Sequence, residues 1–224
     1  MHRLVFVLVL APALLSACVS YGVGSTAATV PEGERTFATL IEATPAPDYG
    51  EMACADDTYY DCIDGTTTVV PMMSSEVRLG IDARSDWGVR TIGYSGLIAS
   101  YKRSFSADTS RLQGAMIVGA GMLNGFNTLA GELTLVVSPP EGTVTPYGGL
   151  RFQQTMPLNN SPQDSPTAGV FAGVRFGSRE FGISPEVGVH YDRSALRLRE
   201  RSIVVVPVIT LHGRGILDGL FPGF

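Results

Sequence analysis

The stretch TAGVFAGVRFGSREFGISPEVGVHYDRS, residues 167–194, decides the fold. From Ala168 the chain alternates. Ala168, Val170, Ala172, Val174 and Phe176 share one parity, and Gly169, Phe171, Gly173, Arg175 and Gly177 share the other. After Ser178-Arg179-Glu180 the alternation resumes, with Phe181, Ile183, Val187, Val189 and Tyr191 set against Ser184, Glu186, Gly188 and His190. Strand side chains point to opposite faces with a period of two, so this is a β-hairpin with one apolar face and one polar or small face. Each arm has about ten residues, the length at which a tilted strand crosses a bilayer.

The same pattern recurs on both sides of the hairpin. It predicts strands over Arg35–Ala43, Glu76–Arg84, Trp87–Gly93, Leu97–Phe105, Leu112–Met122, Leu129–Ser138, Val144–Gln154 and Ile203–Gly213. Composition agrees: 45% of residues are hydrophobic, only 17% are charged, and 26 of 224 are glycine. The body contains no apolar run of roughly eighteen residues, which excludes helical spans and leaves a membrane β-barrel open. A net charge of −5 argues against a general nucleic-acid binder.

The connections test the barrel independently. Thr44–Ser75, Thr155–Pro166 and Ala195–Ser202 are long and fall, with Tyr94–Gly96 and Leu123–Thr128, in one alternating set. Ser85–Asp86, Ser106–Arg111, Pro139–Thr143 and Ser178–Glu180 form the other set and are uniformly short. Membrane barrels alternate short turns at one end with longer loops at the other. The expected fold is therefore all-β, a closed antiparallel up-and-down membrane barrel of about ten strands, with eight and twelve as the alternative counts. Two features oppose it. Pro146, Pro185 and Pro207 fall inside expected strands, and a closed barrel has no edge to hide a missing N–H. Residues 203–209 are also apolar on both parities, as in a strand buried on both faces.

The first residues read as an export signal, with Arg3 ahead of the apolar run Leu4–Leu15. Leu15-Ser16-Ala17-Cys18 follows and resembles the bacterial lipoprotein lipobox. That resemblance implies cleavage before Cys18, a lipid on its thiol, and, with Ser20 rather than an acidic sorting residue nearby, delivery to the outer membrane. Together with EVRLGI (76–81), WGVR (87–90), PYGGLR (146–151) and SPEVGV (184–189), the lipobox makes the chain similar to small outer-membrane β-barrel proteins of Gram-negative bacteria, especially lipid-anchored ones. The implied layout is a signal peptide over 1–17, a lipid-anchored tether over 18–34, a barrel over 35–214 and a tail over 215–224. Residues 19–34 also suit an irregular plug. With an even strand count both barrel ends lie on the periplasmic side, where a lipid on Cys18 reaches the inner leaflet. Phe224 resembles the terminal aromatic of such barrels, although Pro222 and Gly223 interrupt its strand.

With Cys18 lipidated, an exported chain leaves Cys54 and Cys62 to form a disulfide. Asp56, Asp57, Asp61 and Asp64 share that loop, match no calcium-loop spacing, and read as a solvated acidic cluster; no metal or other cofactor is expected. The inward parity gathers Glu76, Arg78, Asp82, Arg84, Arg90, Lys102, Glu132, Arg151, Arg175, Glu186 and His190. Buried charge is tolerated when paired, so these side chains are expected to fill the lumen as a salt-bridge network, with Arg175 and Glu186 as one pair. A plug formed by residues 19–34 would fill it further, so conductance should be small. Enzymatic activity is not expected. Ser184 and His190 are six residues apart on one strand, too far for a nucleophile and its base, which leaves only partners on neighbouring strands. Arg197, Arg199 and Arg201 are placed to meet lipopolysaccharide phosphates if their parity faces lipid. The expected role is structural, passive exchange or surface recognition, as a monomer. The rivals are a soluble, lipid-tethered periplasmic binding barrel and a lipid A-modifying barrel enzyme.

Overall fold

The computed structural model describes residues 20–45, 69–93, 95–106, 110–158, 166–191 and 203–213. Its strands are β1 (Arg35–Pro45), β2 (Val69–Asp82), β3 (Ser85–Ile92), β4 (Gly96–Ser104), β5 (Gln113–Leu123), β6 (Thr128–Ser138), β7 (Val144–Pro157), β8 (Thr167–Gly177), β9 (Gly182–Tyr191) and β10 (Ile203–His212). Every neighbouring pair is antiparallel, and β1 pairs with β10 to close a ten-stranded up-and-down barrel. Connections 83–84, 105–112, 139–143 and 178–181 lie at one end, the short-turn end. Connections 46–68, 93–95, 124–127, 158–166 and 192–202 lie at the other, the long-loop end.

Alternation sorts the side chains. Val77, Leu79, Val89, Leu133, Leu135, Leu150, Val170, Ile183, Val187 and Val205 point outward and are exposed. Aromatic residues cluster near the ends of this apolar face. Trp87 and Tyr101 are in contact at 5.5 Å between ring centroids near the short turns, and Phe105, Phe176 and Phe181 lie at the same end. Glu76, Arg78, Arg90, Lys102, Glu132, Arg151, Arg175, Glu186 and His190 point inward and are buried.

The prolines sit where hydrogen-bonded ladders stop. Pro146 pairs with Val174 on β8, while the β6–β7 ladder ends at Val137 and Gly148. Pro207 pairs with Val187 on β9, and the β1–β10 ladder ends one step away at Glu42 and Val208. Pro185 pairs with Ile209, and the β8–β9 ladder is interrupted beside it, between Gly173/Glu186 and Phe176/Ile183. Each missing N–H thus faces a side on which no ladder bond is made.

Strand β2 begins at Val69, seven residues before the expected Glu76. Residues 69–73 pair with β1 but lie beyond the β2–β3 ladder, which starts at Ser74. This two-stranded extension projects from the long-loop end and holds Pro71 and Pro45 where only one neighbour is present.

Residues 20–27 and Val30 are buried inside the barrel. The segment is a plug within the lumen, not an exposed tether. It also accounts for the doubly apolar β10, because Val204, Val206 and Val208 face inward and pack with Leu40 against Tyr21 of the plug. Val23 and Ala27 pack on Ala115, Ile117, Val136, Tyr147 and Phe171 of the opposite wall.

Candidate functional site: a lumen that holds a main chain

The plug carries mostly small residues and makes no ladder of its own over 20–30, so its backbone groups must find partners in the wall. They find charged ones. At the long-loop end the Glu42 carboxylate accepts from the Ser20 hydroxyl and from the Tyr21 N–H at 2.7 Å. Arg151 and Gln153 donate to the Ser20 carbonyl at 3.2 and 2.7 Å. Arg151 is itself paired with Glu132 at 2.7 Å. Tyr21 rests on His190 with ring centroids 4.9 Å apart, and His190 occupies the space that glycine leaves at 169 and 188.

Midway, Arg90 donates to the Gly22 carbonyl at 3.2 Å. Glu186 accepts three hydrogen bonds, from the Val23 N–H at 2.9 Å, the Gly24 N–H at 2.8 Å and the Tyr147 hydroxyl at 2.9 Å. Two consecutive N–H groups converge on one carboxylate because Gly24 adopts φ +58°, a left-handed turn that makes an anion nest. A Cβ at this glycine would stand 2.3 Å from Thr210 Oγ1.

Toward the short turns the Lys102 ammonium donates to Ser25 Oγ, Thr26 O and Ala28 O at 3.0, 2.7 and 2.6 Å. Ser138 accepts from the Ala27 N–H, and Asp86 accepts from the Val30 N–H at 2.9 Å while pairing with Arg78. Beyond Val30 the chain reverses. The Pro31 carbonyl lies directly on Gly80, where a Cβ would come within 1.9 Å, and Gly33 and Glu34 bond to the Gly80 backbone before β1 begins.

Several expectations change. Asp82 and Arg84 are exposed, because β2 ends at Asp82 and the turn carries both clear of the lumen. There Asp82 accepts from the Arg84 N–H and the Ser85 hydroxyl, each at 2.7 Å. Arg175 pairs with Glu141 at 2.6 Å and not with Glu186, whose carboxylate is occupied by the plug. Glu42, Asp86 and Glu141 are wall carboxylates that alternation did not single out. Asp86 reads in sequence as a turn residue, and Glu42 as one polar residue in an apolar strand. Ser184 does have a partner on the neighbouring strand: its Oγ lies 2.7 Å from His212 Nε2. Both are buried, and a cavity of about 30 Å³ is lined by His212, Arg175 and Lys102. Among the described residues no group of His, Cys, Asp and Glu could hold a metal. Cys18, Cys54, Cys62, the acidic loop (Asp56, Asp57, Asp61, Asp64), Arg197, Arg199 and Arg201 lie outside the described residues.

The short-turn end opens into a vestibule of about 1020 Å³ whose lining includes Arg35, Glu141, Arg175, Arg179 and Glu180. Burial pushes the Glu141 carboxyl up, but Arg179 and Arg175 outweigh this and hold it below the usual carboxylate range. A carboxyl depressed on folding contributes stability above its unfolded value and loses it as pH falls through the folded value. Acidification through that range should therefore loosen turns 139–143 and 178–181, read by amide hydrogen exchange, and Glu141→Gln should abolish the response. An equal acid response in both proteins would show that Glu141 does not fasten this end.

No protein-family model matches the chain, and no curated protein matches it. Among solved structures, the outer membrane protein OprG from Pseudomonas aeruginosa is similar at 12% sequence identity and a TM-score of 0.34. The similarity covers 84% of this chain and 97% of that one. A likeness this slight carries nothing about function.

Proposed function

We propose that the protein is a lipid-anchored outer-membrane barrel, held shut by its own N-terminal segment, with a structural or surface-recognition role. The observation that supports this best is the occupied lumen. Side chains from β1, β3, β4, β6, β7 and β9 all bind main-chain groups of residues 20–30. Passive exchange would require that segment to leave. The outward apolar face, with aromatic residues toward its ends, suits a bilayer, since membrane barrels carry an apolar band between aromatic girdles. A soluble barrel would have to expose the same face to water, far beyond the patches soluble monomers tolerate. The Ser184–His212 pair is read as structural, because both side chains are buried. Arg197, Arg199 and Arg201 would contact lipopolysaccharide phosphates at the outer surface.

The anchor is tested directly. Labelled palmitate should enter the wild-type protein and be lost in Cys18→Ser, with the protein remaining in the membrane fraction by virtue of its barrel. Label that persists in the variant would refute attachment at Cys18. Loss of the variant to the soluble fraction would refute the membrane-embedded barrel.

A further inference from the structure

The plug runs the length of the lumen. Ser20 and Tyr21 are held by Glu42, Arg151 and Gln153, near the long-loop ends of β1 and β7. Val30 is held by Asp86, beside the short turn 83–84. Between these ends it passes Arg90 and Glu186 midway and Lys102 and Ser138 nearer the short turns. Position 18 precedes Ser20 by two peptide units, which reach at most roughly 7–8 Å. A group carried at position 18 therefore has that reach from the long-loop end, opposite the end at which β1 begins. A lipid held at that position would start from the end opposite the one expected of a periplasmic-leaflet anchor.

The wall beside Ser20 is low and apolar. Connections 46–68, 158–166 and 192–202 are long, but β3–β4 and β5–β6 are joined by only 93–95 and 124–127. On the inner face beneath those two turns, Ile92, Ile98 and Leu123 form a buried apolar cluster, and Ser20 shares a small cleft with all three. On the outer face of the same sector Leu97 and Leu129 are exposed. Gln153 and Glu132 line the other side of that cleft, and Glu42 and Arg151 complete the wall around Ser20.

From this geometry we infer that the acyl chains on Cys18 leave the lumen at the long-loop end and cross the rim over turns 93–95 and 124–127 into the outer leaflet. The inference rests on the lipidation proposed above. Along this path an acyl chain meets apolar side chains on both faces of the wall and crosses the two shortest connections at this end. The protein would then be a surface lipoprotein whose tether to the membrane passes through its own barrel.

Cells fed a palmitate analogue with a diazirine near its carboxyl end would load Cys18 of the full-length protein in its own membrane. After irradiation, mass spectrometry identifies which peptide is joined, through the acyl chain, to the N-terminal peptide containing Cys18. Joined peptides should come from 93–98 and 122–130. Links to the short-turn end, such as peptides holding Phe105 or Phe181, would overturn the path and leave lipidation standing, as would a loaded Cys18 linked to neither 93–98 nor 122–130. Absence of the analogue from Cys18 would remove lipidation and the path together.

Discussion

Deleting residues 20–30 should convert a silent barrel into a conducting one. In planar bilayers the intact protein should show no stable openings, because the plug and the charged wall fill the lumen between them. Ten strands enclose a bore that side chains can largely fill, and here an extended chain occupies what they leave. Without it, Glu42, Asp86, Arg90, Lys102, Arg151 and Glu186 each lose at least one bond to the plug main chain. Water entering the vacated bore can solvate them, so the cost of about 1–3 kcal/mol for each unsatisfied buried group is mostly offset. The strand ladders are untouched, and the variant should still migrate as a folded barrel on mild SDS gels until boiled. Steady ion-conducting steps are then expected from the deletion alone. A folded variant that stays silent would mean that the wall side chains close the lumen by themselves. Large, stable conductance from the intact protein would remove the plug from any role in sealing.

The second large effect should follow Glu186→Ala. This carboxylate accepts from two consecutive plug N–H groups and also takes the Tyr147 hydroxyl. Truncation strands two N–H donors in the middle of the wall and removes a partner of the Tyr147 hydroxyl, at about 1–3 kcal/mol for each group that water does not reach. A loss of roughly 3 kcal/mol or more is expected in urea unfolding from lipid vesicles. Glu186→Gln keeps one carbonyl acceptor but sets an amide N–H₂ against a donor, so it should fall between the two. Tyr147→Phe removes a donor together with its need for a partner and should cost only about 1 kcal/mol. The order Ala, then Gln, then Tyr147→Phe is the signature of a carboxylate gripping the plug. A Glu186→Ala protein as stable as Tyr147→Phe would show that water replaces the carboxylate and that the grip adds little.

The wall of this barrel is written in the sequence in a way its contents are not. Period-two alternation marks all ten strands, since one face must meet apolar surroundings and the other a polar interior. It also assigns Arg78, Arg175, Glu186 and His190 to the inward parity. It overreaches at Asp82 and Arg84, where the parity continues past the end of β2 into the turn. It falls short over 69–75, where Pro71 and two serines obscure the pattern and residues 69–73 have only one neighbour. Pairing across the barrel is another matter. Arg175 meets Glu141 and Ser184 meets His212 because of how registers align, which spacing along one strand cannot report. The plug is the least legible part: small residues without a period suit a tether equally well. Its one indirect trace lies far away, in the inward valines of β10, which need an apolar partner that no strand supplies.

The way the plug is held also determines where this protein is free to drift. Lys102, Arg151, Glu186 and Asp86 grip carbonyls and N–H groups of residues 20–30, and every residue except proline offers the same two. Substitution within the plug therefore leaves those contacts intact wherever there is room, whereas substitution of a gripping side chain breaks them for any plug sequence. Gly22 and Gly24 are the exceptions, the first because a Cβ would meet Val208 at 2.8 Å, the second because of its backbone turn. Heritable variation can accumulate in the guest while the host stays fixed, the reverse of the usual expectation that a lumen's wall adapts to what it contains.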